Sequence, residues 1–171
     1  MVRRRCRIVL VSDAGYDPDF KFEDLGNAVR KIEIDFGIPI RLDKLEALRG
    51  RSQKSLKASS TKDGLAAPSE VRHVIGTIDY KAVDPNCENG TLIYIKPCYY
   101  GIEGAAIRSY AMAHLDFPHQ STANQWFTES QFEAYRSLGF ETMDRILAGA
   151  SSKACGHPSL AGLCAATIPE S

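Results

Sequence analysis

The chain has 171 residues, of which 44% are apolar and 25% charged, and its 21 basic and 21 acidic side chains cancel to a formal charge of zero. That length fits one domain with a real core, and the charge balance leaves no net field to attract nucleic acid, an anionic membrane surface or a strongly charged partner. The five cysteines, Cys6, Cys87, Cys98, Cys155 and Cys164, form an odd set without a C-x-x-C pair. Reduced thiols in a cytoplasmic setting are therefore expected, not a disulfide or zinc framework.

After Met1-Val2-Arg3-Arg4-Arg5, the apolar run Ile8-Val9-Leu10-Val11 is too short for a signal-peptide core or a membrane span. Cys6 to Val11 reads as an interior parallel strand that empties into the loop Ser12-Asp13-Ala14-Gly15, and ligands on α/β sheets bind at such carboxyl ends. The loop Asp13 to Asp19 is acidic but lacks the sixth-position glycine and twelfth-position glutamate of a calcium-binding EF-hand. Turn formation and capping by Asp17-Pro18-Asp19 is the expected role.

Phe22, Leu25, Val29, Ile32 and Phe36 recur at helical spacing, with Glu23 and Asp24 at the amino end and Gly37 placed as the stop. Ile38 to Asp43 then reads as a short strand, completing a β-α-β unit, and Pro39 assigns it to an edge or a strand start. Residues 44–69 turn to Lys, Arg, Ser and Thr without apolar period, so a mobile surface insertion is expected. Val71 to Tyr80 and Thr91 to Lys96 are β-rich runs separated by Asp84-Pro85-Asn86 and Glu88-Asn89-Gly90, which predicts a hairpin. A helix is predicted from Ala105 to Ala113.

Thr128-Glu129-Ser130-Gln131 matches a capping box, with the Gln131 side chain returning to the cap. The helix that follows takes Phe132, Tyr135, Leu138, Met143, Ile146 and Leu147 as its apolar stripe, through about residue 147. Trp126, Phe127 and Phe132 are read as a hydrophobic staple and core in preference to an exposed lipid-facing patch. The tail 150–171 has no amphipathic period and is expected to be loosely ordered.

Groups able to do chemistry are sparse. The chain contains no G-x-S-x-G nucleophile elbow and no glycine-rich phosphate cradle, and Ser159 sits at the wrong spacing directly after Pro158. His114, Asp116 and His119 are three potential metal ligands within six residues, but H-x-D-x-x-H is not a recognised ligand spacing. His119 and Ser121 would make a hydrolytic pair only with an orienting acid, and none is evident.

Several motifs nevertheless occur together and in order: Arg4 to Gly15 (RRCRIVLVSDAG), Phe22 to Lys31 (FEDLGNAVRK), Tyr94-Ile95-Lys96-Pro97, Phe117-Pro118-His119-Gln120-Ser121-Thr122, and Glu129 to Arg136 (ESQFEAYR). Through most of residues 3–148 the chain resembles the C-terminal part of bacterial patatin-like phospholipases. The resemblance implies an α/β fold, here a partial patatin-like sheet with packing helices, and a parent reaction that hydrolyses lipid esters through a serine acyl-enzyme. It also implies that the catalytic serine of G-x-S-x-G, the aspartate of D-G-[GA] and the oxyanion loop lie upstream of Met1. Asp13-Ala14-Gly15 and Asp63-Gly64-Leu65 do not match D-G-[GA], so no catalytic residue carries over, and no cofactor or metal is implied. The expectation is a segment inactive alone, associated with a missing N-terminal portion or a patatin-like partner, in a cytoplasmic protein whose parent can be membrane-associated. Its free sheet edge and uncovered apolar face would make the isolated chain aggregation-prone.

Overall fold

The fold is given by a computed structural model that describes residues 1–50, 70–151 and 162–163. Strands β1 (Ile8–Ser12), β2 (Ile40–Leu42), β3 (His73–Ile78) and β4 (Gly90–Ile95) form one mixed sheet in the order β1-β4-β3-β2. With helices α1 (Glu23–Phe36), α2 (Ala105–Ala113) and α3 (Glu129–Ser151), it makes an α/β fold. The sheet joins two devices expected from the sequence. β3 and β4 pair antiparallel as a hairpin, and β4 then pairs parallel to β1, with Ser12 opposite Ile95. β1-α1-β2 is accordingly a crossover whose two strands are separated by the hairpin, and β2 takes the edge, where Pro39 is tolerated.

β4 is the spine because its side chains are buried on both faces, as a continuous apolar run in a parallel pairing requires. Leu92 packs with Val9, Ile38 and Ile78, and Tyr94 packs with Phe22, Leu25 and Leu48. On the opposite face Ile93 and Ile95 meet Ile146 of α3 and Leu163. That second face is less completely covered: Leu10 of β1 and Ile75 of β3 remain 39% and 41% exposed. Among the described residues β1 has no strand on its outer side.

Gly37 ends α1 as expected, in the left-handed conformation at φ 66°. Part of the segment read as an insertion is built into the core: Leu45–Ala47 forms a 3-10 turn and Leu48 is fully buried. Its remainder, 51–69, lies outside the described residues. So does most of the tail, of which Leu163 is described and buried.

Two expectations for α3 are corrected. Of the expected stripe, Leu138 and Ile146 are buried and Tyr135, Met143 and Leu147 pack half-buried against the core, but Phe132 lies outside; Gln131, Ala134 and Thr142 complete the buried face. Small Ala134 and slender Leu138 admit Tyr99, Ile107 and Phe117 from the facing elements, and a bulkier aromatic stripe would hold α2 away. The staple does not form: Trp126, Phe127 and Phe132 are 90%, 59% and 58% exposed. The capping box forms by half. Thr128 Oγ1 accepts from Gln131 N at 3.2 Å, but Gln131 Nε2 donates to Gln120 Oε1 at 3.0 Å.

Candidate functional site

The parallel pairing of β1 with β4 brings their carboxyl ends together, and the loop after β1 folds over the end of β4. Asp13 N donates to Ile95 O at 2.9 Å, fixing the loop's first residue to the spine strand. The side chain of Lys96, the residue directly after β4, is 1% exposed and points its ammonium at this loop: Nζ lies 3.2 Å from Asp13 Oδ2 and 3.8 Å from Asp17 Oδ2. A buried ammonium is tolerated only when paired, and here two carboxylates share it.

Both carboxylates are held by further donors. Asp13 Oδ1 accepts from Gly15 N at 2.8 Å and Oδ2 accepts the Tyr94 hydroxyl. Asp17 accepts from Lys21 N at 2.8 Å and from Phe22 N at 2.9 Å, so it forms the turn that starts α1, the role expected of Asp17-Pro18-Asp19. Burial on its own would raise the Asp13 pKa, but the bonds from Tyr94, Gly15 and Lys96 outweigh it and the carboxyl sits below its ordinary value. The same contact works in reverse on Tyr94, whose phenol is pushed far upward by burial and by the hydrogen bond to Asp13. Phe20 and Phe22 both adopt left-handed φ, 53° and 55°, a conformation that costs a non-glycine residue about 1 kcal/mol or more. Asp13, Asp17, Phe22 and Lys96 wall an open cleft of about 300 Å³ lined also by Tyr16, Asp19 and Asp24.

His119 closes the cluster from the far segment. It is 8% exposed, its ring meets the Phe20 ring edge-on at 4.8 Å between centroids, and its Nε2 has no hydrogen-bond partner in the protein. Burial, with the nearby Lys96 charge adding to it, lowers its pKa to about 4 against the opposing pull of Asp17 and Asp13. The imidazole is therefore neutral at pH 7.

The three residues considered as metal ligands are not gathered. His114 is exposed and stacks on Tyr110 at 4.1 Å, Asp116 accepts from Gln120 Nε2 at 3.4 Å, and His119 faces Phe20. Among the described residues no group of three or more His, Cys, Asp or Glu side chains is placed to hold a metal ion. Ser121 does not serve His119 either; its Oγ accepts from Ala123 N at 3.3 Å. Ser159 lies outside the described residues.

Sequence reasoning missed Lys96 and Tyr94 as site residues. The available signal was one cation at the end of an otherwise apolar strand, with an acidic loop following another strand. What the cluster can do is hold charge in a fixed geometry: its carboxylates are saturated by donors, and only the neutral His119 Nε2 is left unpaired. Comparison with protein-family models, curated proteins and solved structures finds no match to this chain.

Proposed function

We propose that the chain is a portion of a patatin-type lipid acyl hydrolase, supplying sheet strands and packing helices to a serine centre carried on other strands, and that it performs no acyl transfer alone. The observation that carries the reading is that, among the described residues, no strand pairs with the outer side of β1, the parallel strand whose carboxyl end bears the Asp13–Lys96 cluster. A strand edge with free backbone donors and acceptors accepts another strand. The motif resemblance specifies what that strand should bring: the G-x-S-x-G serine, the D-G-[GA] aspartate and the oxyanion donors, without which positioning alone does not give acyl transfer.

The same edge supports a second reading, in which the complementary strands belong to a separate patatin-like protein and this chain is an interaction module. Both readings take a lipid ester as the substrate of the completed centre. Treating the purified chain with a fluorophosphonate, which labels activated serines, tests the inactivity: no adduct is expected. Labelling of a serine in this chain, or serine-dependent turnover of a para-nitrophenyl ester, would overturn it.

A further inference from the structure

The nine residues Gln120 to Thr128 carry no charged side chain, and three large aromatics in or beside them turn outward. Trp126 is 90% exposed, Phe127 59% and Phe132, on the first turn of α3, 58%. Isolated exposed apolar residues are ordinary, but a contiguous aromatic group marks an interaction surface. The loop that presents them is internally bonded: Asn124 N donates to Ser121 O at 3.2 Å and Trp126 N to Asn124 Oδ1 at 3.1 Å. Beside it runs an open, mainly apolar groove of about 250 Å³, walled by Ala14, Thr122, Phe127, Phe132 and Tyr135. Three of its polar lining residues are bonded to one another, Gln131 Nε2 donating to Gln120 Oε1 and Gln120 N donating to the Tyr135 oxygen.

We propose that this face docks on the surface of a zwitterionic phospholipid bilayer, with Trp126, Phe127 and Phe132 entering the boundary between headgroups and acyl chains. Tryptophan and phenylalanine favour that boundary, where an aromatic body can be immersed while polar edges stay wet. The charge-free loop, in a chain of zero formal charge, suits lipids without net charge and offers nothing to an anionic surface. A mainly apolar groove in which Gln120, Gln131 and Tyr135 bond one another suits an apolar occupant better than a protein segment that brings its own donors and acceptors. Ala14, which adjoins Asp13, continues the groove to the loop at the carboxyl end of β1, so the docked face would turn that end of the sheet toward lipid. The proposal rests on exposure and charge and does not need the acyl-hydrolase reading.

Trp126 is the chain's one tryptophan and reports on its own surroundings. Titration of the full chain with phosphatidylcholine vesicles should shift its emission to the blue, and brominated acyl chains should quench it. Both effects should persist in about 1 M salt, where charges are screened beyond about 3 Å. The Phe127→Ser/Phe132→Ser double variant, which keeps Trp126, should partition about tenfold or more weakly. Circular dichroism establishes that this variant and the parent chain are folded. Absence of a shift at saturating lipid would overturn the proposal, as would equal binding by the folded double variant. A shift that depends on protein concentration without lipid would instead assign the face to a second copy of the chain. Fluorophosphonate labelling is read separately and is indifferent to this result.

Discussion

Replacing Lys96 by methionine removes the one ammonium between Asp13 and Asp17 while keeping the side chain's bulk. Two carboxylates whose side chains are only 18% and 15% exposed would then face each other without a cation, which should cost about 3 kcal/mol. Urea unfolding of the full chain measures it, and a loss under about 1 kcal/mol would mean the pair is screened by solvent. Adding Asp13→Asn to Lys96→Met should recover part of the loss, since the two residues are coupled. His119 makes a separate pH prediction. Its folded pKa of about 4 lies below the ordinary 6.5, so between those values the unfolded chain binds a proton that the folded chain does not. Its contribution is complete above pH 6.5 and declines as the pH falls to about 4, by at most about 1.4 kcal/mol per pH unit. His119→Leu should flatten that window. Asp13, held below its ordinary 3.8, acts at lower pH: its contribution is present above 3.8 and lost as acid protonates it.

At the scale of elements, Thr128→Ala should destabilise the chain by about 1 kcal/mol, because the Thr128 hydroxyl serves the Gln131 N–H at the start of α3. Gly76→Ala tests the β2–β3 pairing. A methyl group at Gly76 would lie 2.6 Å from Arg41 O and 2.9 Å from Leu42 Cγ, so β2 must move, at a cost of about 1–3 kcal/mol in denaturant unfolding. Elements governed by local chemistry were legible in the sequence: the stop of α1 at Gly37, the hairpin around Asp84-Pro85-Asn86, the edge placement after Pro39. α3 was legible as a helix, and so was its core side from Tyr135 to Leu147, but not the inner side of its first turn. Hydrophobicity alone assigned Phe132 inward, whereas Ala134 joins Ile107 and Ala111 of α2 in one cluster and Gln131 turns in to bond Gln120. The Lys96 cluster was not legible, because Lys96 and Asp13 are 83 positions apart and meet only through the parallel register of β1 on β4.

For the whole molecule, the α/β class follows from the alternation of apolar strands and amphipathic helices, while the strand order depends on long-range pairing that no local pattern encodes. No helix among the described residues is long and apolar enough to cross a membrane. Among the described residues the outer side of β1 is unpaired, and with the exposed Leu10 and Ile75 it forms a liability at a sheet edge and on one sheet face. The isolated chain should therefore associate or aggregate with rising concentration, measurable by light scattering, and a sharp reversible melt as a monomer would count against an unfilled edge. The acyl-hydrolase account is tested most directly by purifying the tagged chain from its own cells and treating the eluate with a fluorophosphonate probe. The account predicts a companion polypeptide, or an extension of this one, that bears G-x-S-x-G and D-G-[GA] and takes the label on the G-x-S-x-G serine, with none on Met1 to Ser171. A label on a serine within these 171 residues, or an eluate holding no polypeptide with those motifs, would contradict it.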